Sequence, residues 1–154
     1  VKILFVCLGN ICRSPTAEGV FRQRLRHAGL EARVVVDSAG TAGWHRGKAP
    51  DARSCMAAAA RGYELSGLRA RQVALDDFQR FDLILAMDHD NLAHLQAMQP
   101  AGSRAETDLF LRRYGIGCDA VPDPYHGGEE GFQQVLDLIE QAADGLLHEV
   151  QERL

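Results

Sequence analysis

At 154 residues, 46% apolar and 25% charged, the chain fits one globular domain with a sizeable core, and no apolar run approaches the ~18 residues of a membrane helix. The net charge of −4 argues against general nucleic-acid binding, but it is unevenly divided: residues 1–60 carry nine Lys and Arg against four Asp and Glu, and residues 61–154 eight against seventeen. The basic half is either a solvated face or the holder of a site for anions.

Residues 2–6, KILFV, are nearly all apolar, as expected of a central parallel strand covered on both faces. After a loop, Ser14-Pro15 reads as an N-cap followed by proline at the first helical position. The helix runs to about Ala28, with Ala17, Phe21, Leu25 and Ala28 on one face and Gly29 ending it. Residues 33–37 form a second strand rich in β-branched side chains, followed by a loop over 38–44. Residues 51–61 read as a helix, 81–86 as a third strand and 88–98 as another helix. Residues 104–122 hold a short fourth strand at no clear position. The last helix carries one apolar stripe through Phe132, Val135, Leu136, Ile139, Ala143, Leu146, Leu147 and Val150. Strands alternating with helices predict a single α/β domain over residues 1–154, with helices flanking a four-stranded parallel sheet, and ligands at the carboxyl ends of its strands.

The first residues lack a basic segment and a small-residue cleavage site, so no secretory signal is read and the expected location is cytoplasmic. Reduced thiols suit that compartment, and the four cysteines form neither a CxxC pair nor a Cys/His cluster with zinc spacing. No metal and no organic cofactor is expected.

Cys7-Leu8-Gly9-Asn10-Ile11-Cys12-Arg13-Ser14 has the form C-x5-R-S, between a strand end and a helix start. A loop so placed turns backbone N–H groups inward as a cradle for an anion. Gly9 and Asn10 tolerate the left-handed backbone such a loop needs. Arg13 offers a planar fork for two phosphate oxygens, and Cys7 sits beneath the phosphorus, where the same amides favour a thiolate. The Ser14 hydroxyl is placed to donate to that sulfur. With this chain's Cys, Arg, Ser and Thr content, chance predicts about 0.02 copies of C-x5-R-[ST]. Cys55 and Arg61 repeat the spacing without the context: in a helix their side chains point ~240° apart.

Hydrolysis through a phosphorylated cysteine also needs a proton donor that later activates water. Asp123, stiffened by Pro122 and Pro124, is the candidate, although an Asp-Pro turn is its plain alternative. Trp44 and Tyr125 lie in Gly/Pro-rich loops, where a slot for an aromatic substrate could form.

VCLGNICRSP, DSAGTAGWH, FDLILAMDHDNL and VPDPYHGG together resemble the low-molecular-weight protein tyrosine phosphatases over essentially the whole chain. The resemblance implies a flavodoxin-like three-layer fold of the phosphotyrosine phosphatase type I kind. It implies Cys7 as nucleophile, Arg13 as phosphate clamp and Asp123 as general acid and then base. Leu8, Gly9, Asn10, Ile11, Cys12 and Arg13 would cradle the phosphate, Asn10, Ser14 and Ser38 would brace the loop, and Leu8, Ile11, Trp44 and Tyr125 would wall the phosphotyrosine slot. Cys12 would capture oxidised Cys7 as a reversible disulfide, whereas Cys55 and Cys118 are read as packing residues. Partners would be phosphotyrosine-containing proteins and a cognate tyrosine kinase, with no nucleic acid or membrane, and the chain a monomer or weak dimer. Two positions depart from the family pattern: Leu68 stands where many members have a loop-bracing histidine, and His126 where many have a second aromatic.

Three rivals share some of these features. A thiol-dependent arsenate reductase needs a further cysteine pair after the third strand, and residues 83–91 hold no cysteine. Relatives that act on phosphoarginine carry threonine in place of Ile11, and an apolar side chain there better suits an aromatic ring. The third is a non-hydrolytic protein, a phosphate-binding module or a phosphocysteine carrier; a carrier can work without Arg13 and Asp123, and the presence of both favours hydrolysis.

Overall fold

The computed structural model describes residues 1–125 and 127–154; the departure at His126 lies outside them. Strand β1 (Lys2–Cys7) leads through the loop at 8–12 into α1 (Arg13–His27). There follow β2 (Val35–Gly40), α2 (Ala52–Ala60), α3 (Asp77–Arg80), β3 (Leu83–Ala86), α4 (His89–Met98), β4 (Glu106–Leu109), α5 (Phe110–Arg113) and α6 (Glu129–Arg153). The sheet is wholly parallel with order β2-β1-β3-β4. The predicted three-layer α/β domain is the observed one.

The apolar run of β1 is explained by its central place. Ile3 and Phe5 face a core shared with α1, α2, α5 and α6, while Leu4 and Val6 face a second core with Phe78 of α3 and Leu92 and Leu95 of α4. The stripe on α6 packs into the first core, with Phe132, Leu136, Ile139, Ala143 and Leu146 all buried.

Several boundaries moved. The second strand, expected at 33–37, is β2 at Val35–Gly40, because its ladder with β1 runs on through Ser38↔Phe5, Ala39↔Val6 and Gly40↔Cys7. Small residues suit that stretch: a Cβ on Gly40 would lie 2.6 Å from the Leu8 carbonyl oxygen. The third strand is shorter than 81–86 and starts at Leu83. Ser14 is not an N-cap. Helix α1 begins at Arg13, Thr16 Oγ donates to the Cys12 carbonyl (2.6 Å), and Ser14 lies inside the first turn with its hydroxyl directed at the loop. The four-residue helices α3 and α5 were not expected, and the fourth strand falls at Glu106–Leu109.

Candidate active site

Residue Cys7 ends β1 and is almost wholly buried, with its Sγ 3.0 Å from Ser14 Oγ and accepting the Asn10 N–H at 3.3 Å. That N–H can turn inward because Asn10 has φ = 57°, the one non-glycine residue with positive φ among those described. Gly9 is not in the left-handed region; its missing side chain leaves room for His45, whose Cδ2 would lie 2.9 Å from a Cβ there.

Behind the loop, buried polar groups connect in series. Asn10 Nδ2 donates to Ser14 Oγ (2.8 Å) and to Ser38 Oγ (3.0 Å), and Asn10 Oδ1 accepts the Arg71 N–H (3.0 Å). Ser38 Oγ donates to Glu18 Oε1 (2.7 Å), which fixes the direction of the chain of donors. Ser14, already accepting from Asn10, keeps its own proton for Cys7 Sγ, a shorter contact than the 3.4 Å to the Ala39 carbonyl. Burial pushes the Glu18 carboxyl above its ordinary value, against the opposing hydrogen bonds from Ser38 and Arg22. Leu68 packs against the core; its segment braces the loop instead through the backbone of Arg71, whose N–H holds Asn10 and whose carbonyl accepts from Gly40 N–H (2.8 Å).

Arg13 is buried at the start of α1. Its Nη1 donates to Asp88 Oδ2 (2.6 Å) and to the Val121 carbonyl (3.1 Å), and its Nη2 is 3.6 Å from Asp123 Oδ2. Burial acts to lower the affinity of this guanidinium for its proton, but the Cys7 sulfur and the Asp88 and Asp123 carboxyls outweigh it, and the net shift is upward. Asp123 stands at the mouth, its side chain 46% exposed, with Oδ1 accepting the Tyr125 N–H (3.0 Å). The segment carrying it is tied to the end of β3 by Val121 N–H to the Met87 carbonyl (2.8 Å).

A cleft of about 210 Å³ brings Cys7, Leu8, Gly9, Ile11, Cys12 and Arg13 together with Trp44, His45, Asp123 and Tyr125. Asn10, Ser14 and Ser38 lie behind it. Trp44 is 71% exposed; Tyr125 has the Arg53 guanidinium 5.7 Å from its ring centre and the His45 ring 6.4 Å away. Burial pushes the Cys12 thiol up to about 12, with a hydrogen bond from Ser54 opposing it. Cys55 packs at the core's edge, but Cys118, expected as a packing residue, is exposed. Among the described residues no group of three or more His, Cys, Asp or Glu could hold a metal ion.

Asp88, Glu18, His45 and Arg53 were not singled out from the sequence. Asp88 had a readable signal: it follows β3 and caps α4, accepting the Asn91 N–H (2.8 Å), so its carboxyl had to lie at the carboxyl edge of the sheet. Glu18 had none, because one acidic residue on a helix is usually solvated.

The arrangement is chemically suited to an oxyanion. The inward N–H of Asn10, the N-terminus of a 15-residue helix and a buried guanidinium converge beside a thiol, with a carboxyl across the mouth. A sequence model of the family described as low molecular weight phosphotyrosine protein phosphatase matches residues 2–154. A low molecular weight protein-tyrosine-phosphatase of Streptomyces coelicolor is 45% identical, covering 99% of this chain and 95% of its own. Among solved structures, a protein tyrosine phosphatase from Entamoeba histolytica superimposes with a TM-score of 0.94 at 39% identity, over 99% of this chain and 97% of its own. A Drosophila arginine phosphatase superimposes at 0.90 and 32% identity, over 96% and 97%. The chain belongs to the low molecular weight phosphotyrosine protein phosphatase family.

Proposed function

We propose that the chain is a protein-tyrosine-phosphatase that hydrolyses phosphotyrosine in proteins through a phosphorylated Cys7. The observation that carries the reading is the cleft shared by Cys7, Arg13 and Asp123, in which the buried Arg13 guanidinium lies 3.6 Å from the Asp123 carboxyl at the mouth. In the first step the Cys7 thiolate, hydrogen-bonded by Ser14 and the Asn10 N–H, attacks phosphorus. The P–O bond to tyrosine breaks, and Asp123 gives its proton to the departing phenolate oxygen. In the second step the Asp123 carboxylate takes a proton from water, the resulting hydroxide attacks phosphorus, and the S–P bond breaks to release inorganic phosphate and the thiolate. Arg13 and the inward amides meet the charge on the equatorial oxygens in both steps, so no metal is required.

Leu8, Ile11, Trp44 and Tyr125 line the cleft with apolar and aromatic surface, which favours an aromatic ester over phosphoarginine. Cys12 shares the cleft floor with Cys7 and is the partner for an oxidised Cys7: its thiol attacks a Cys7 sulfenic acid, forming the S–S bond and releasing water. Its burial as a protonated thiol makes that capture slow. A single Cys7–Cys12 link in peptide mass spectra of mildly oxidised protein is the expected result; sulfinic acid on Cys7 without that link would contradict it. Four free thiols suit a cytoplasmic location. A tyrosine kinase is the enzyme class that makes the substrate, and the chain is expected to act as a monomer or weak dimer.

The test is steady-state turnover of a phosphotyrosine peptide in excess chelator, beside phosphoserine and phosphoarginine substrates and arsenate with thioredoxin. Turnover of phosphotyrosine that is lost in Cys7→Ser and reduced about 10²–10⁴-fold in Asp123→Ala is expected. A preference for phosphoarginine, or no turnover by folded protein, would contradict the reading.

A further inference from the structure

Most cations of this chain are matched. Of its 17 Lys and Arg, twelve have a carboxylate in ion-pair contact among the described residues. Three of the remaining five, Arg46, Lys48 and Arg69, lie on two segments that run side by side next to the cleft. Gly47 N–H donates to the Ala70 carbonyl (2.8 Å), and Ala70 N–H donates to the Lys48 carbonyl (2.9 Å). All three side chains are exposed.

Arg46 and Arg69 both donate to neutral acceptors. Arg46 Nη2 donates to Gln72 Oε1, and that amide is itself fixed by Nε2 donating to the Thr41 carbonyl (3.1 Å). Arg69 Nη1 donates to the carbonyls of Ser66 (2.8 Å) and Leu68 (2.6 Å). No acidic residue occurs between Asp37 and Asp51, or between Glu64 and Asp76. Of the acids at those limits, Asp37 pairs with Arg71, Asp51 pairs with Arg53 and Glu64 accepts from Ser66, while Asp76 is exposed on the far side of Arg71 in sequence. Among the described residues these two guanidinium groups meet neutral acceptors and no carboxylate, so most of their donors are open to an incoming acid.

The strip begins at the cleft wall. Arg46 and Lys48 are two and four residues beyond Trp44, which lines the cleft together with His45. Beyond Tyr125 the Arg53 cation is paired with Asp51, and α6 opens with exposed Glu129 and Glu130. An extended substrate advances ~3.3 Å per residue, so side chains two to four positions from the phosphotyrosine extend past the cleft wall that carries Trp44 and His45. We propose that Arg46, Lys48 and Arg69 form a docking surface for acidic side chains on one side of the phosphotyrosine, which makes acidic phosphotyrosine segments the substrate class of this chain. The proposal rests on the phosphatase reading above.

The test compares kcat/KM at low salt for four phosphotyrosine peptides: neutral on both sides, Asp/Glu-flanked on the N-terminal side only, on the C-terminal side only, and on both. Phenyl phosphate is the substrate that cannot reach the strip. The wild type is expected to prefer one of the two singly acidic peptides over the neutral one by roughly three- to tenfold, declining as salt screens the pairs. The double variant Lys48→Glu/Arg69→Glu breaks no ion pair or side-chain contact to a carboxylate. It should invert the preference and leave phenyl phosphate turnover unchanged. Equal rates for acidic and neutral peptides in the wild type, or a preference that survives the double variant, would overturn the docking proposal alone. No turnover of phenyl phosphate by the wild type would overturn the phosphatase reading and the docking proposal with it.

Discussion

Asn10 links the backbone and the chemistry of the loop. Its φ of 57° turns its N–H toward Cys7 Sγ, and its side chain ties Ser14, Ser38 and the Arg71 backbone together. Two substitutions separate these tasks. Asn10→Ala loses the side-chain bonds and places an ordinary residue in the left-handed region at a cost of about 1–2 kcal/mol. Asn10→Gly restores the backbone freedom but not the bonds. In both, kcat is expected to fall at least about tenfold, because Ser14 is no longer oriented, while melting temperature recovers in the glycine variant relative to alanine. Kinetics and thermal melting on the two variants check this; full activity in Asn10→Gly would show that only the backbone matters. At this scale the sequence was informative where residues are adjacent in the chain. Cys7, Asn10, Arg13 and Ser14 fall within eight positions, and their proximity could be argued from one turn of loop. Glu18, Asp88 and the Arg71 backbone reach the same loop only through packing, and no local spacing announces them.

At the scale of elements, α6 and β1 were legible because each carries its burial in its pattern, an apolar stripe in one and a continuous apolar run in the other. The end of β2 was not, because Ser38, Ala39 and Gly40 have low strand propensity and pair only because β1 lies beside them. Helices α3 and α5 span about one turn each, too short for a periodic signal. The far end of α6 is fastened by charge as well as packing. Glu149 accepts from Arg113 Nε and Nη2 (both 2.9 Å), from the Tyr114 hydroxyl (2.8 Å) and from Arg153 (2.7 Å). The Arg113 bonds outweigh the effect of burial and hold its carboxyl at about 2, against an ordinary 4.5. A depressed carboxyl contributes stability that is present above the ordinary value and lost as pH falls toward about 2. Glu149→Gln should therefore destabilise by about 1–3 kcal/mol near neutral pH, with the difference from wild type shrinking on acidification. Urea unfolding across that range measures it; a difference that grows toward acid would contradict the assignment.

For the whole molecule, the strand order decides where chemistry can occur. With β1 between β2 and β3, its carboxyl end receives the Ser38–Gly40 end of β2, the segment around Arg71, Asp88 after β3 and the 121–125 loop, all distant in sequence. The fold class could be read from alternating elements, but which distant segments meet at the loop depends on that order. A site assembled from so many elements should couple ligand binding to global stability. Inorganic phosphate at about 100 times its dissociation constant is expected to add roughly 2.7 kcal/mol, seen as a rise of several degrees in melting temperature. Arg13→Ala should lose the rise; an equal rise in that variant would place the phosphate elsewhere. No helix among the described residues is long and apolar enough to cross a membrane.

In the proposed reaction phosphate passes through the sulfur of Cys7. Acid quenching of the enzyme during turnover of a phosphotyrosine peptide, followed by peptide mass spectrometry, tests it most directly. A phosphoryl group is expected on the peptide containing Cys7, formed within the first turnover and absent in Cys7→Ser. Turnover with no phosphoryl on Cys7 at any quench time, or turnover retained in Cys7→Ser, would contradict it.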